Sequence, residues 1–267
     1  MRGCVHIYCG DGKGKTTCGM GLCTRAAGYG YRVLIYQFMK DNSTSERKVL
    51  LLSPNVTFVP GQDKIKFSFL MTPEEKAEQK RYYEEQFQKV TEKAIQEEYD
   101  VLFLDELPEF SRESLEVLRQ PLEDGQITVS RAAGSATYPS HFQLVAAMNP
   151  CKCGYYGHPT RQCTCSPSAV RQYRSRVSGP LLDRIDLCVE MDPIAFDELH
   201  TAAPSESSAD LRRQVLAARA VQAKRYAAPG FEGVRCNAQL TAGQVRRICR
   251  MTPGAEQLLR SSYDALG

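Results

Sequence analysis

A glycine-rich run near the start of the chain has the residue types that bind phosphate. Glycines let backbone N–H groups approach phosphate oxygens closely, and the N-terminus of a following helix favours negative charge. Lys15 would neutralise phosphate charge, and the Thr16 hydroxyl would bind Mg²⁺. The run predicts a site for ATP with Mg²⁺, the alternative being a plain glycine-rich turn. Its members are Gly10, Asp11, Gly12, Lys13, Gly14, Lys15, Thr16 and Thr17.

Further along the chain, polar residues directly follow two apolar runs. Residues 101–104 read Val-Leu-Phe-Leu and end at Asp105 and Glu106, while the apolar run 142–148 ends at Asn149. Continuous apolar runs of this length are typical of central parallel strands. Asp105 and Glu106 are therefore predicted to be acidic site residues at the carboxyl end of such a strand. The alternative is a solvated strand end.

Four cysteines form two closely spaced pairs that could bind a metal. Cys151 and Cys153 are separated by nine residues from Cys163 and Cys165, and His158 lies between the pairs. Four thiolates suffice for a tetrahedral zinc site, although C-x-C is tighter than the usual spacing. The alternative is free thiols in a surface loop. The chain has eleven cysteines, and most of them are expected to be reduced thiols in the core.

The elements that must position these residues alternate between strands and helices, which predicts an α/β fold with a mainly parallel sheet flanked by helices. A capping box over residues 72–75, with proline at the first helical position, predicts a long helix to about residue 98. Two further helices predict a small C-terminal lid after a linker at 204–208. The predicted strands are 5–8, 32–38, 101–104, 142–148 and 187–191, with a hairpin at 126–131 and 136–138; the other predicted helices are 16–27, 111–120, 209–225 and 241–263.

The bulk composition indicates a globular protein. The chain has 267 residues, 42% of them hydrophobic and 24% charged, with a net charge of +3. This charge is too small to argue for a polyanionic partner. No apolar run approaches the roughly 18 residues that span a bilayer, and the first residues lead directly into a strand instead of a signal sequence. We expect a cytoplasmic location and no membrane partner.

The spacing of the glycine-rich run departs from the general motif, because Cys9 stands where the first glycine is expected. This shortened loop is accompanied by Arg-Ala-Ala-Gly-Tyr-Gly at 25–30, Gln-Phe-Met-Lys at 37–40 and Glu-Arg at 46–47. With these features, residues 2–106 resemble the ATP:corrinoid adenosyltransferase family of cobalamin biosynthesis, whose members have a P-loop NTPase fold. The resemblance implies transfer of the adenosyl group of ATP to a cob(I) corrinoid, with release of triphosphate.

That resemblance also assigns roles to individual residues. Arg25 and Glu46 would assist nucleotide placement. Phe67 and Phe69 would face the corrinoid, where aromatic rings exclude water and an axial ligand from the cobalt. Their alternative is an ordinary place in the hydrophobic core.

From residue 101 onward the chain resembles the magnesium-chelatase-like AAA+ ATPases, in particular their competence-protein branch. The matching motifs are residues 101–110, 118–125, 145–150 and 178–186. The resemblance implies that Asp105 holds the magnesium shell and that Glu106 polarises the attacking water. It also implies that Asn149 orients that water and that Arg184 reaches the nucleotide of a neighbouring subunit in a ring. A surface ion pair is the alternative for Arg184.

The adenosyltransferase resemblance stops, and the AAA+ resemblance begins, near residues 102–107. Neither family is therefore represented in full. A recombined gene and an assembly artefact both produce such a join. Three functions stay open: adenosyl transfer as the first hypothesis, AAA+ ATP hydrolysis that remodels a protein or DNA partner, and non-catalytic nucleotide binding. The predicted domains are 1–106, 107–200 and 209–267, in a homo-oligomer that is a dimer or a ring. Basic residues that could meet nucleic acid, or form a solvated helix face, are Arg161, Arg171, Arg174 and Arg176.

Overall fold

The computed structural model describes residues 4–62, 65–66, 71–131, 134–193 and 206–266. They divide into two compact units, of which the first runs to Ala195 and the second begins at Phe196. Among these described residues, no helix has the length and apolar character that crossing a bilayer requires.

Six strands of the first unit form one parallel sheet, which confirms the predicted α/β fold. Their order is β3-β2-β4-β7-β1-β8, and every neighbouring pair is parallel. β1, which precedes the glycine-rich run, therefore lies between two strands from the second half of the chain. The strands are β1 His6–Cys9, β2 Val33–Gln37, β3 Val56–Phe58, β4 Val101–Asp105, β7 Gln143–Ala147 and β8 Leu187–Glu190.

The central strands are buried on both faces. Every residue of β2 and β4 is buried, as expected for parallel strands covered by helices on two sides. Successive side chains point to opposite faces, so Leu102 and Leu104 belong to one core cluster while Val101 and Phe103 belong to the other. The helices of the first unit are α1 Lys15–Gly28, α2 Ser45–Leu50, α3 Pro73–Gln96, α4 Arg112–Glu116, α5 Arg119–Asp124, α6 Pro167–Arg174 and α7 Gly179–Leu182.

The two longest of these helices cover opposite faces of the sheet. α3 begins at the predicted capping box, in which Thr72 and Glu75 bond each other's backbone N–H groups. Its buried residues include Tyr83, Phe87 and Val90, which repeat at helical spacing. On the other face, α1 buries Met20, Cys23 and Ala27.

The predicted helix at 111–120 is wrong, because the structure has two short helices there. Val117 and Leu118 donate to carbonyls three residues earlier, which tightens the chain between α4 and α5. Pro121 has no N–H to donate to the carbonyl of Val117, and its ring crowds the preceding turn. The predicted elements also omit α2 and β3, which the structure forms between β2 and α3.

A hairpin and the second unit complete the described chain. β5 Gln126–Arg131 and β6 Gly134–Pro139 pair antiparallel. In the second unit the helices are α8 Ser208–Tyr226, α9 Ala242–Ile248 and α10 Pro253–Leu266. α8 and α9 each begin with a capping box. The ring centroids of Tyr226 and Phe231 lie 5.7 Å apart. The linker predicted at 204–208 lies partly outside the described residues.

Candidate nucleotide site

The glycine-rich loop joins β1 to α1 at the carboxyl edge of the sheet. Gly10 and Gly14 have φ values of 101° and 100°, which side-chain-bearing residues rarely adopt, and Gly14 is the N-cap of α1. A Cβ atom on Gly12 would lie 2.3 Å from the carbonyl oxygen of Asp192. The backbone therefore requires glycine at these positions, and it directs the N-terminus of a 14-residue helix at the loop.

Lys15 is the first residue of α1 and curls back over the loop. Its Nζ donates to the carbonyl of Gly12 at 2.7 Å. Burial lowers the pKa of Lys15, while the carboxylates of Glu106 and Asp11 act in the opposite direction. The ammonium group is thus held at the loop, with two acidic side chains near it.

Asp105 ends β4 and contacts both Thr16 at the loop and Lys40 just after β2. Thr16 Oγ1 donates to Asp105 Oδ1 at 3.0 Å, and Lys40 Nζ donates to Asp105 Oδ2 at 2.7 Å. The Asp105 side chain is 1% exposed, so both of its oxygens are paired inside the protein. Hydroxyl and carboxylate oxygens are the ligands that Mg²⁺ prefers, which makes this pair a suitable holder for the ion.

Lys40 was given no role from the sequence alone. It follows β2, the neighbour of β4, after Met39 adopts a φ of 49°. This turn brings the ammonium group to Asp105 instead of leaving it in solvent. Its position just beyond a buried parallel strand was the signal, because the carboxyl ends of such strands share one edge.

Glu106 and Asn149 come together beside this group. Asn149 Nδ2 donates to Glu106 Oε2 at 2.8 Å, although 43 residues separate them in the sequence. Glu106 itself has a φ of 56°, an uncommon conformation for a residue other than glycine. Burial, with a smaller contribution from the Asp105 carboxylate, raises the pKa of Glu106 to about 7. A carboxylate with this pKa is suited to accept a proton near neutral pH.

The remaining predicted nucleotide residues lie at different distances from the loop. Glu46 begins α2 near the end of β2, where its Oε1 accepts from Gln37 Nε2 at 3.2 Å. Arg25 is exposed in the last turn of α1, about 15 Å along the helix axis from Lys15. The structure does not bring Arg25 to the loop. Phe67 and Phe69 lie outside the described residues.

Arg184 lies near the amino-terminal ends of the strands, whereas the glycine-rich loop follows the carboxyl end of β1. Its Nη2 donates to Glu123 Oε1 at 2.7 Å. Two residues later, Asp186 accepts from the backbone N–H of Val5 at 2.7 Å, just before β1 begins. Since the loop follows the carboxyl end of β1, Arg184 does not reach the loop of its own chain.

The four predicted zinc ligands lie close together. The Sγ atoms of Cys151, Cys153, Cys163 and Cys165 are all within 4.8 Å of one another, and all four cysteines are free. His158 is oriented differently, because its Nδ1 accepts from the backbone N–H groups of Thr160 and Arg161. The cluster could therefore hold a metal ion on four sulfurs.

Two of the four basic residues near the cluster have partners within the chain. Arg161 donates to the hydroxyl of Tyr155 at 2.8 Å and lies over that ring. Arg176 donates to the carbonyl of Pro108 at 2.8 Å and pairs with Glu109. The contacts of Arg176 tie the end of α6 to the segment after Glu106.

Comparison with protein families separates the two halves of the chain. Residues 1–117 match the model of ATP:corrinoid adenosyltransferase BtuR/CobO/CobP. Residues 93–199 match magnesium chelatase, subunit ChlI, and residues 205–267 match the C-terminal part of that subunit. The chain thus has segments that are similar to two different families. We call them the adenosyltransferase-like segment, 1–117, and the chelatase-like segments, 93–199 and 205–267.

Individual relatives favour the chelatase-like segments. The uncharacterized protein YifB of Escherichia coli K12 is 45% identical over 168 residues, and the competence protein ComM of Haemophilus influenzae is 41% identical over 169 residues. Each match covers 62% of this chain and 31% of the relative. The corrinoid adenosyltransferase of Escherichia coli K12 is 40% identical over 57 residues, which are 21% of this chain and 29% of that protein. The chain thus spans about a third of the length of these relatives.

Proposed function

We propose that this protein hydrolyses ATP with Mg²⁺ in the manner of a chelatase-like AAA+ ATPase. The observation that carries the proposal is the hydrogen bond from Asn149 to Glu106, beside the contact of Thr16 with Asp105. A base and its orienting amide thus stand next to a loop suited to phosphate. The longer and more identical matches are to the chelatase-like relatives, which supports hydrolysis over adenosyl transfer.

The loop and its surroundings fit Mg-ATP on structural grounds. Gly10 and Gly14 adopt the left-handed conformation, which shapes a loop whose backbone N–H groups, other than that of Gly12, would approach phosphate oxygens; the Gly12 N–H donates to the carbonyl of Met191. Lys15 supplies positive charge at the loop. Thr16 and Asp105 would hold Mg²⁺, which neutralises developing charge on the phosphates when it is bound.

Three residues of the chain have separate roles in the proposed hydrolysis. Glu106 accepts a proton from the attacking water, whose oxygen bonds to the γ-phosphorus while the bond to the bridging oxygen breaks, giving ADP and phosphate. Asn149 fixes the carboxylate through its 2.8 Å hydrogen bond. Lys15 offsets charge that passes to the phosphate oxygens.

A conservative substitution at the base tests this assignment. Glu106→Gln keeps the size of the side chain and removes its ability to accept a proton, so we expect Mg-ATP binding to persist while the hydrolysis rate falls about 100-fold or more. Glu85→Gln, at an exposed position on α3, is the matched control and should hydrolyse ATP like the unaltered protein. Equal rates in the two variants would remove Glu106 from the mechanism.

A ring-forming homo-oligomer is part of the same proposal. Arg184 does not reach its own loop, and as an arginine finger it would act on the nucleotide of an adjacent copy. A protein or DNA partner for the remodelling activity is proposed by analogy with AAA+ ATPases alone.

Adenosyl transfer to a cob(I) corrinoid is the second candidate. The match of residues 1–117 and the shortened loop after Cys9 favour it. In that reaction the cobalt nucleophile would bond to the ribose 5′ carbon as the bond to triphosphate breaks. Phe67 and Phe69 are its proposed corrinoid contacts, and Glu46 is its proposed nucleotide contact. A cobalt spectrum that stays unchanged on mixing with Mg-ATP and a reduced corrinoid would count against it.

A further inference from the structure

The four sulfurs after β7 have the spacing of a metal cage. The Sγ atom of Cys151 lies 3.4 Å from that of Cys153 and 3.7 Å from that of Cys163, and the sulfurs of Cys153 and Cys163 are 3.5 Å apart. Tetrahedral Zn–S bonds of about 2.3 Å separate neighbouring sulfurs by about 3.8 Å. Disulfide sulfurs lie about 2.05 Å apart. The observed spacing fits an ion at the centre of the sulfurs.

The turn within the first pair explains how so short a spacing places two sulfurs together. Gly154 has a φ of 81°, and its N–H donates to the carbonyl of Cys151 at 3.0 Å. This left-handed turn reverses the chain immediately after Cys153. The tight C-x-C spacing, which argued against a metal in the sequence, is therefore compatible with one in the structure.

We propose that these four cysteines bind one structural Zn²⁺ that closes the loop at 151–165 and thereby positions Asn149 against Glu106. Four thiolates and no open position are typical of structural zinc, and thiolates favour zinc over Mg²⁺. Asn149 stands two residues before the first ligand, Cys151, which is fully buried. The ion would thus fix the start of the loop, from which the Asn149 amide donates to the Glu106 carboxylate.

The other end of the same loop contacts the same segment. α6 begins at Pro167, two residues after the last ligand, with Ser166 as its N-cap. Just beyond α6, Arg176 donates to the carbonyl of Pro108 at 2.8 Å. Both ends of the metal-closed loop therefore hold the chain at 106–109. The metal site stands on the sulfur geometry, whereas its effect on turnover rests on the proposed hydrolysis.

Metal binding is tested first, without any nucleotide. The purified full chain is expected to contain one zinc per molecule. After metal removal it should bind one Co²⁺ with the thiolate charge-transfer band and intense visible bands of a tetrahedral tetrathiolate site. Cys163→Ser should weaken these bands and lower metal affinity about 10-fold or more. Cys249→Ser, at an exposed cysteine in the second unit, should leave both unchanged.

Failure to bind zinc or cobalt at one per chain, or a weak octahedral cobalt spectrum, would overturn the metal site. Because the unaltered protein supplies this readout, it holds even if Cys163→Ser does not fold. It also stays valid if the protein hydrolyses no ATP, so failure of the two proposals can be told apart.

The positioning role is tested by comparing kcat with KM for ATP. We expect Cys163→Ser to lower kcat about 10-fold with little change in KM, because the loop glycines and Lys15 are untouched. Adding Asn149→Ala to Cys163→Ser should produce no further loss, since both changes release the same hydrogen bond. Additive losses, or an unchanged kcat in the zinc-free protein, would overturn the positioning role while leaving the metal site intact.

Discussion

The backbone N–H of Gly12 donates to the carbonyl of Met191 at 2.7 Å, and this bond joins the adenosyltransferase-like segment to a chelatase-like segment. Gly12 lies in the phosphate loop of the adenosyltransferase-like segment. Met191 follows β8 in the chelatase-like segment, and its own N–H donates to the carbonyl of Cys9 at 2.8 Å. The loop is therefore shaped by residues that its own segment does not contain.

Gly12→Ala is expected to damage both the loop and the fold of the first unit. The new Cβ would lie 2.3 Å from the carbonyl oxygen of Asp192, a distance that real structures do not tolerate. The loop must shift, so we expect ATP affinity to fall at least about 10-fold and the melting temperature to drop by several degrees. Titration calorimetry and thermal unfolding measure the two effects.

Gly21→Ala is the matched control for that substitution. Gly21 lies within α1, and a Cβ there would meet nothing within 4 Å. Alanine is favoured over glycine in a helix by about 0.8–1 kcal/mol, so this variant should be slightly more stable and bind ATP normally. A Gly12→Ala protein that behaves like Gly21→Ala would contradict the packing of the loop against residues 191–192.

Lys40→Met should make the protein more dependent on Mg²⁺. The substitution removes a hydrogen-bond donor from the buried Asp105 carboxylate and leaves the Thr16 hydroxyl as its remaining partner, which we expect to cost about 1–3 kcal/mol of stability. A divalent ion at Asp105 would compensate the unpaired charge. Addition of Mg²⁺ should therefore raise the melting temperature of Lys40→Met more than that of the unaltered protein.

Lys48→Met provides the comparison for Lys40→Met. Lys48 is exposed on α2, so its replacement should change neither stability nor the response to Mg²⁺ measurably. An identical response of all three proteins would show that Mg²⁺ does not meet the Asp105 carboxylate.

The acid limb of the pH profile should report Glu106. Burial raises the pKa of Glu106 to about 7, and a protonated carboxyl cannot accept a proton from water. We therefore expect kcat/KM for ATP, which reflects the free enzyme, to fall about tenfold for each pH unit below about 7. The residual rate of Glu106→Gln should lack this limb, although ATP's own titration is common to both proteins. An acid limb that persists in Glu106→Gln would assign it to another group.

Mixing two inactive variants tests whether Arg184 acts on a neighbouring copy. Arg184→Ala should reduce hydrolysis about 1,000-fold or more if the guanidinium stabilises the transition state in trans. In an equal random mixture with Glu106→Gln, about a quarter of the interfaces would join an intact Glu106 to an intact Arg184. Activity should then reappear on mixing. A mixture that stays inactive, although the subunits exchange and assemble, would leave Arg184 as the surface partner of Glu123.

Much of this arrangement could be predicted from local patterns. Apolar runs that end in Asp105 and Asn149 indicated parallel strands, and the carboxyl ends of parallel strands share an edge with the loop after β1. The capping box at Thr72 marked the start of α3 because its signal lies within four residues. Pro121 in α5 is the local signal for the helix break before it, because proline disfavours the preceding helical turn.

Other features depend on packing that no local pattern encodes. Lys40 reaches Asp105 because Met39 adopts a left-handed conformation. Gly12 contacts residues 191–192, which are far from it in the sequence. Arg25 was carried over by resemblance, whereas helix geometry places it far from the loop. The sulfur cluster was predictable only in part. The sequence shows the four cysteines, but it does not show the turn at Gly154 that brings them together.

The identity of the products formed from ATP tests the central proposal most directly. The purified protein is incubated with Mg-ATP in ¹⁸O-labelled water, with and without a reduced cobalt(I) corrinoid, and the phosphorus products are identified by mass spectrometry. We predict ADP and phosphate that carries one oxygen from water, at a rate that the corrinoid does not change and that Glu106→Gln abolishes. Triphosphate together with a light-sensitive adenosyl-corrinoid would contradict hydrolysis and assign the site to adenosyl transfer.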